Sequence, residues 1–139
     1  EEDLNPGGFH RWPADQRMTS MMAPTLIAGG NGRHIALGSG GSNRLRTAIL
    51  QVLVNLIDFE MPLAEAVDAP RVHFERDVLN IEHGFERDDL KALELNYPQL
   101  RFWDSRNLFF GGVHSVQVGE QSFEGAGDPR RGGVARIVQ

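Results

Sequence analysis

The 139-residue chain contains no cysteine. That excludes disulfides, thiolate metal sites and a cysteine nucleophile. It leaves the compartment open, because secreted proteins can also lack cysteine. Basic residues are in deficit: 14 Lys and Arg stand against 19 Asp and Glu, for a net charge of -5. With no basic patch to offset that balance, nucleic acid is not an expected partner. No apolar run approaches the ~20 residues of a membrane span, and no signal peptide is visible. The chain opens at Glu1 without methionine, which reads as a processed, excised or trimmed product. Several motifs are also missing. The phosphate-loop pattern G-x-x-x-x-G-K-[ST] is absent, as is G-x-G-x-x-G after a strand. No G-x-S-x-G elbow supports a serine triad. The five histidines are scattered, and no pair has the i, i+4 spacing of a metal-binding helix. No metal or other cofactor is therefore expected.

What is present fits one compact domain, residues 1–139, or a piece of one. Hydrophobic residues make up 40% of the chain, enough for a core. Residues 1–17 are broken by Asn5-Pro6-Gly7-Gly8 and Trp12-Pro13 and read as loop. Residues 24–29 and 34–37 read as a hairpin around Gly30-Asn31-Gly32. A helix is predicted from about Ser42 to Phe59, capped by Ser42 or Asn43. Its stripe runs Leu45, Ile49, Val52, Leu53, Leu56 and Ile57, and apolar Ala48, Leu50 and Val54 predict cover on more than one face. A short helix over 63–67 starts after Pro62 and stops at Pro70. Strands are predicted at 72–75 and 78–82, a helix over 86–95, and a short strand at 101–103. A second hairpin spans 113–118 and 122–126, and a terminal strand covers 134–138. Hairpins and helices are segregated, which favours an α+β fold with a mostly antiparallel sheet.

Chemistry concentrates at Gly38-Ser39-Gly40-Gly41-Ser42-Asn43-Arg44, directly before the long helix. A glycine-rich turn opening a helix leaves several N–H groups aimed at one point. Such a nest can hold a phosphate, a carboxylate or the oxyanion of an acyl-transfer intermediate. Lacking the phosphate-loop lysine, this one reads as a carboxylate or oxyanion site, or simply as a tight strand-to-helix corner. Glu1-Glu2-Asp3 is an acidic cluster suited to a substrate ammonium or to plain solvation. Thr19 and Ser20 offer hydroxyls for a substrate carboxylate or for a turn. In Asp128-Pro129-Arg130-Arg131, pairing of a guanidinium with a structural carboxylate is the favoured use.

Read together, these segments resemble the C-terminal part of the small subunit of γ-glutamyltransferases (γ-glutamyl transpeptidases). The match is carried by Glu2-Asp3-Leu4, Arg17 through Thr25, Gly38 through Arg44, and Leu50-Gln51-Val52 with Asn55 and Asp58. Two further segments, Glu65-Ala66-Val67-Asp68-Ala69-Pro70-Arg71 and Asp128-Pro129-Arg130-Arg131-Gly132-Gly133, are the most specific. The resemblance implies part of an N-terminal nucleophile hydrolase, an αββα sandwich whose proenzyme cuts itself before a threonine. That threonine attacks a γ-glutamyl amide, with glutathione the usual donor, and its α-amine is the base. Water, an amino acid or a peptide then takes the glutamyl group. Asp3 resembles the carboxylate that holds the donor ammonium. Thr19 and Ser20 resemble the two-serine motif for the donor carboxylate, although an ungapped match from Arg17 pairs Ser20 and Met21 with it. Gly40-Gly41-Ser42 resembles the oxyanion glycines, and strict register makes Gly41 and Ser42 the donors.

The resemblance also implies partners. These are the γ-glutamyl donor, an amino acid or peptide acceptor, and the remainder of the enzyme, namely the large subunit and the N-terminal part of the small subunit. Because the family's threonine lies upstream of the Glu-Asp motif, the 139 residues alone are expected to be inactive. A related acylase of the cephalosporin-acylase type is the alternative enzyme. A non-catalytic binding or assembly domain of the same fold is the alternative of another class.

Overall fold

The computed structural model describes residues 4–8, 11–30, 32–120 and 122–138. Asp3, with the rest of the acidic cluster, lies outside the described residues. Four strands form the main sheet: β1 (Thr25–Ala28), β2 (His34–Ser39), β6 (Val113–Val118) and β7 (Phe123–Ala126). Their order is β1-β2-β6-β7, antiparallel throughout. Successive side chains along each strand point to opposite faces. Leu37, Ser115 and Ala126 share one row and are buried. Leu26, Ala36, Val116 and Gly125 share the next row and point the other way.

The buried face packs on α1 (Leu45–Ile57) and α2 (Leu63–Asp68). Ile35, Leu37, Ile49, Val52, Leu56 and Val67 form the centre of this core. Val52 has 0% exposure, and burial of such a side chain stabilises by about 1.5–3 kcal/mol. Pro62 stands at the N-cap of α2, where its missing N–H costs nothing, and Pro70 follows its end.

A smaller sheet holds β3 (Val72–Glu75), β4 (Val78–Ile81) and β5 (Gln99–Phe102). Arg76 and Asp77 both have positive φ, 50° and 63°, as a two-residue hairpin of the mirror-image type needs. β5 runs parallel to β4. The crossover between them is α3 (Arg87–Glu94), whose Leu90 packs on Leu79 and Ile81. The chain is thus mixed α+β with mostly antiparallel strands, as expected.

Three local expectations fail. First, α1 begins at Leu45 rather than Ser42. Arg44 is its N-cap and makes no side-chain cap bond. Ser42 instead sits in a turn, its carbonyl accepting from the Leu45 amide at 3.0 Å, so its side chain is out of position to cap. Second, α1 is buried on one face only: Leu50 and Ile57 are 58% and 57% exposed. Third, 134–138 form no strand. Glycine at 125 leaves room above the sheet, so this segment crosses the face of β7 with Ala135 over Gly125, rather than pairing along the edge.

Candidate functional site

One end of the main sheet gathers the start of β1, the end of β2, the start of β6 and the end of β7. The segments singled out in sequence therefore meet there. Residues 19–24 lead into β1, 38–42 leave β2, and 127–131 leave β7. Residues 111–112, which sequence reasoning passed over, enter β6 at the same end.

At the corner, the Gly40 amide donates to the Gly112 carbonyl at 3.1 Å and prolongs the β2–β6 ladder by one bond. Gly41 has φ +138°, a backbone that L residues rarely adopt. Ser42 follows in the turn before α1. Among the described residues, neither the Gly41 nor the Ser42 amide makes a hydrogen bond. They stand just before the N-terminus of a 13-residue helix, where the macrodipole adds positive potential. Space at the corner fits glycine. A Cβ at Gly111, φ +80°, would lie 2.9 Å from both the Ala48 Cβ and the Ser39 Oγ. The exposed Arg131 side chain lies over Gly40, Gly41 and Gly112; a Cβ on Gly112 would be 2.6 Å from its Cδ.

Thr19 and Ser20 are both exposed. The Thr19 hydroxyl donates to the Leu4 carbonyl at 2.6 Å, tying the approach to β1 to the residue after Asp3. The Ser20 Oγ accepts from the Met22 amide at 3.2 Å.

Beneath the corner lies a buried network of four charges, Arg71, Glu82, Asp128 and Arg130, each less than a tenth exposed. Arg130 donates to both Glu82 oxygens, with Nη2–Oε2 at 2.6 Å, and to Asp128 Oδ1 at 3.2 Å. It also reaches the Val67, Asp68 and Ala69 carbonyls at the C-terminal end of α2, where a cation is favoured. Arg71 pairs with Asp128 at 2.7 Å and donates to the Phe110 carbonyl at 3.2 Å. Asp128 in turn accepts the Val113 amide at 2.8 Å, fixing the start of β6. Burial works against the charged Asp128 carboxyl. Arg71, the Arg130 and Val113 amides and the Arg130 guanidinium outweigh it and hold its pKa below the ordinary value. Burial likewise opposes the Arg130 charge, but Glu82 and Asp128 outweigh it and raise its pKa. Burial and Arg130 lower that of Arg71. The favoured structural use of a guanidinium in Asp128-Pro129-Arg130-Arg131 is thus realised by Arg130. Its partner Glu82, 48 positions away, carried no sequence signal.

A second polar cluster flanks α1. Arg44 bonds Glu75 at 3.3 Å and lies 4.3 Å over the Phe109 ring. Buried His73 contacts the Thr47 hydroxyl at 2.7 Å through Nδ1, and burial lowers its pKa. Among the described residues, no group of three or more His, Asp or Glu could hold a metal ion. A cavity of about 930 Å³ borders Met61, Asp68, His83, Arg106 and Pro129, and touches none of Thr19, Ser20, Gly40, Gly41 and Ser42.

The gamma-glutamyltranspeptidase family profile matches residues 1–138. The Glutathione hydrolase proenzyme of Escherichia coli is 35% identical over 119 residues, covering 84% of this chain and 20% of that protein. The Acylase ACY 1 proenzyme of Pseudomonas sp. strain V22 is 37% identical over 91 residues, covering 66% of this chain and 16% of its own length. Among solved structures, the transpeptidase CapD of Bacillus anthracis superposes with a TM-score of 0.77 at 25% identity, covering 90% of this chain and 75% of that one. The gamma-glutamyltranspeptidase of Pseudomonas nitroreducens gives 0.73 at 29%, covering 92% and 67%. The chain spans about a fifth of the length of the curated relatives. By profile, identity and fold, it belongs to the gamma-glutamyltranspeptidase family.

Proposed function

We propose that the longer protein to which this chain contributes cleaves γ-glutamyl amides such as glutathione and passes the glutamyl group to water, an amino acid or a peptide. The observation that carries this reading is the pair of amides, Gly41 and Ser42, at the head of α1 that make no hydrogen bond among the described residues, in a chain whose curated relatives include glutathione hydrolase proenzymes. In this reading a threonine hydroxyl from outside these residues adds to the γ-carbonyl carbon, and its proton passes to the threonine's own α-amine. The carbonyl oxygen becomes an oxyanion held by the Gly41 and Ser42 amides. One such donor is typically worth ~3–4 kcal/mol at the transition state. The C–N bond then breaks, the amine leaves with that proton, and an ester remains. Water or an acceptor amine adds to the ester carbon and releases the glutamyl group, restoring the hydroxyl. The Gly40 amide, bonded to Gly112, is assigned to shaping the corner instead.

Asp3 is proposed to hold the donor ammonium, with Ser20 toward its α-carboxylate and Thr19 joining it once its one proton leaves the Leu4 carbonyl. The Thr19 bond to Leu4 supports a common location for the two groups. The remainder of the enzyme is proposed to cover the outer face of the main sheet, where Leu26, Val116 and Phe123 are 84%, 55% and 72% exposed. The acylase relative favours a second reading, the same chemistry on a different acyl group.

Release of p-nitroaniline from γ-glutamyl-p-nitroanilide by the full-length, self-cleaved protein tests the function. Turnover is expected, and Asp3→Ala should raise the donor KM by at least tenfold, in line with the ~2–5 kcal/mol cost of removing a buried partner of a charge, while self-cleavage continues. A self-cleaved protein that hydrolyses other amides but not this one would establish the acylase reading. Unchanged donor affinity in the variant would remove Asp3 from the site.

A further inference from the structure

We infer that Ser39 is a positioning residue: its hydroxyl sets the direction of the Gly41 amide. This rests on the reading of Gly41 and Ser42 as oxyanion donors and adds the group that holds one of them in place.

Ser39 is the last residue of β2. Its hydroxyl uses both its capacities at once. It accepts the Gly112 amide at 3.1 Å and donates to the Gly40 carbonyl at 3.2 Å. The Gly40 carbonyl and the Gly41 N–H are the two polar ends of one peptide group. None of the peptide bonds among the described residues is cis, and in a planar trans peptide those two ends point in opposite directions. Drawing the Gly40 oxygen inward, toward Ser39 and the start of β6, therefore aims the Gly41 N–H outward.

Among the described residues, no other hydrogen bond holds that peptide. Residues 40 and 41 are both glycine, so no side chain resists rotation of the peptide between them. The preceding peptide is pinned separately, by the Gly40 amide on Gly112. Ser39 completes the hold. The pocket around it is closed to larger neighbours: a Cβ on Gly111 would stand 2.9 Å from the Ser39 oxygen. An amide that must already face a developing oxyanion loses its value when free to turn, because the reaction then carries the cost of orienting it.

The test uses the full-length, self-cleaved protein with γ-glutamyl-p-nitroanilide and a boronic acid analogue of the γ-glutamyl group. Ser39→Ala is expected to lower kcat about 10- to 100-fold, the scale of a misplaced catalytic group, with donor KM and melting temperature near the parent's. Boronate affinity should weaken along with kcat. Ser39→Thr keeps the hydroxyl and should recover most of the rate. Ser39→Cys preserves volume but donates weakly. It should be impaired too, and it carries the test should the alanine variant not fold. An unimpaired kcat in both S39A and S39C would overturn the inference. So would losses of rate that track melting temperature and are not rescued by S39T. The two readings separate through Ser42. If replacing its amide by an ester lowers kcat while S39A does not, only the Ser39 inference falls. If neither change alters kcat, the oxyanion reading falls with it.

Discussion

Asp128 has 0% exposure and touches two guanidinium groups and two backbone amides. Its charge is matched within the network, since Arg71 and Arg130 balance Asp128 and Glu82. Replacing a single member leaves the others buried and unpaired, which typically costs about 3–5 kcal/mol. Asp128→Ala in the full-length protein should therefore lose stability on that scale. Asp128→Asn should lose nearly as much, because it keeps the shape and removes the charge. The pH dependence follows from the lowered Asp128 pKa. The folded carboxyl stays ionised to lower pH than the unfolded one, so its contribution is complete above the ordinary aspartate value of about 3.9 and fades as pH falls through the folded value below that. Melting curves of parent and Asp128→Asn should converge as pH is taken below about 4. A gap that stays constant on acidification would show that the charge is not what stabilises.

At the scale of elements, the corner depends on β2, the turn before β6 and α1 meeting closely. Gly111 sits where all three meet. Its φ is +80°, and a Cβ there would meet the Ala48 Cβ at 2.9 Å. That atom stands on the α1 backbone and cannot swing aside, so Gly111→Ala should push the helix away from the β6 turn. The expected loss is about 1–3 kcal/mol, with a matching fall in melting temperature of the full-length protein. An unchanged melting temperature would mean that the approach is looser than described. Elements whose faces differ were legible in sequence. The two hairpin patterns located β1, β2, β6 and β7, and the helical stripe located α1. Features that depend on distant partners were not. Val134 to Val138 read as a terminal strand, yet the segment forms none and crosses a face instead of an edge, with Val134 and Val138 88% and 84% exposed. Ser42 reads as a cap until its carbonyl is drawn into the turn with Leu45. The corner announced itself through its glycines. Ser39 did not, since its acceptor role involves Gly112, 73 positions away.

For the whole molecule, the main sheet is covered by helices on one face, while the other displays Leu26, Val116 and Phe123. A chain spanning a fifth of its relatives' length supplies a sheet end, a helix terminus and a buried charge network that braces them. The proposed function has it present two amides to a nucleophile from elsewhere in the protein. The most direct measurement is a crystal structure of the full-length, self-cleaved protein bound to a boronic acid analogue of the γ-glutamyl group. A boronate oxygen is expected within about 2.7–3.1 Å of both the Gly41 and Ser42 amide nitrogens, the range for an oxyanion hole. A boronate oxygen turned toward other donors, with both of these amides left unbonded, would contradict it.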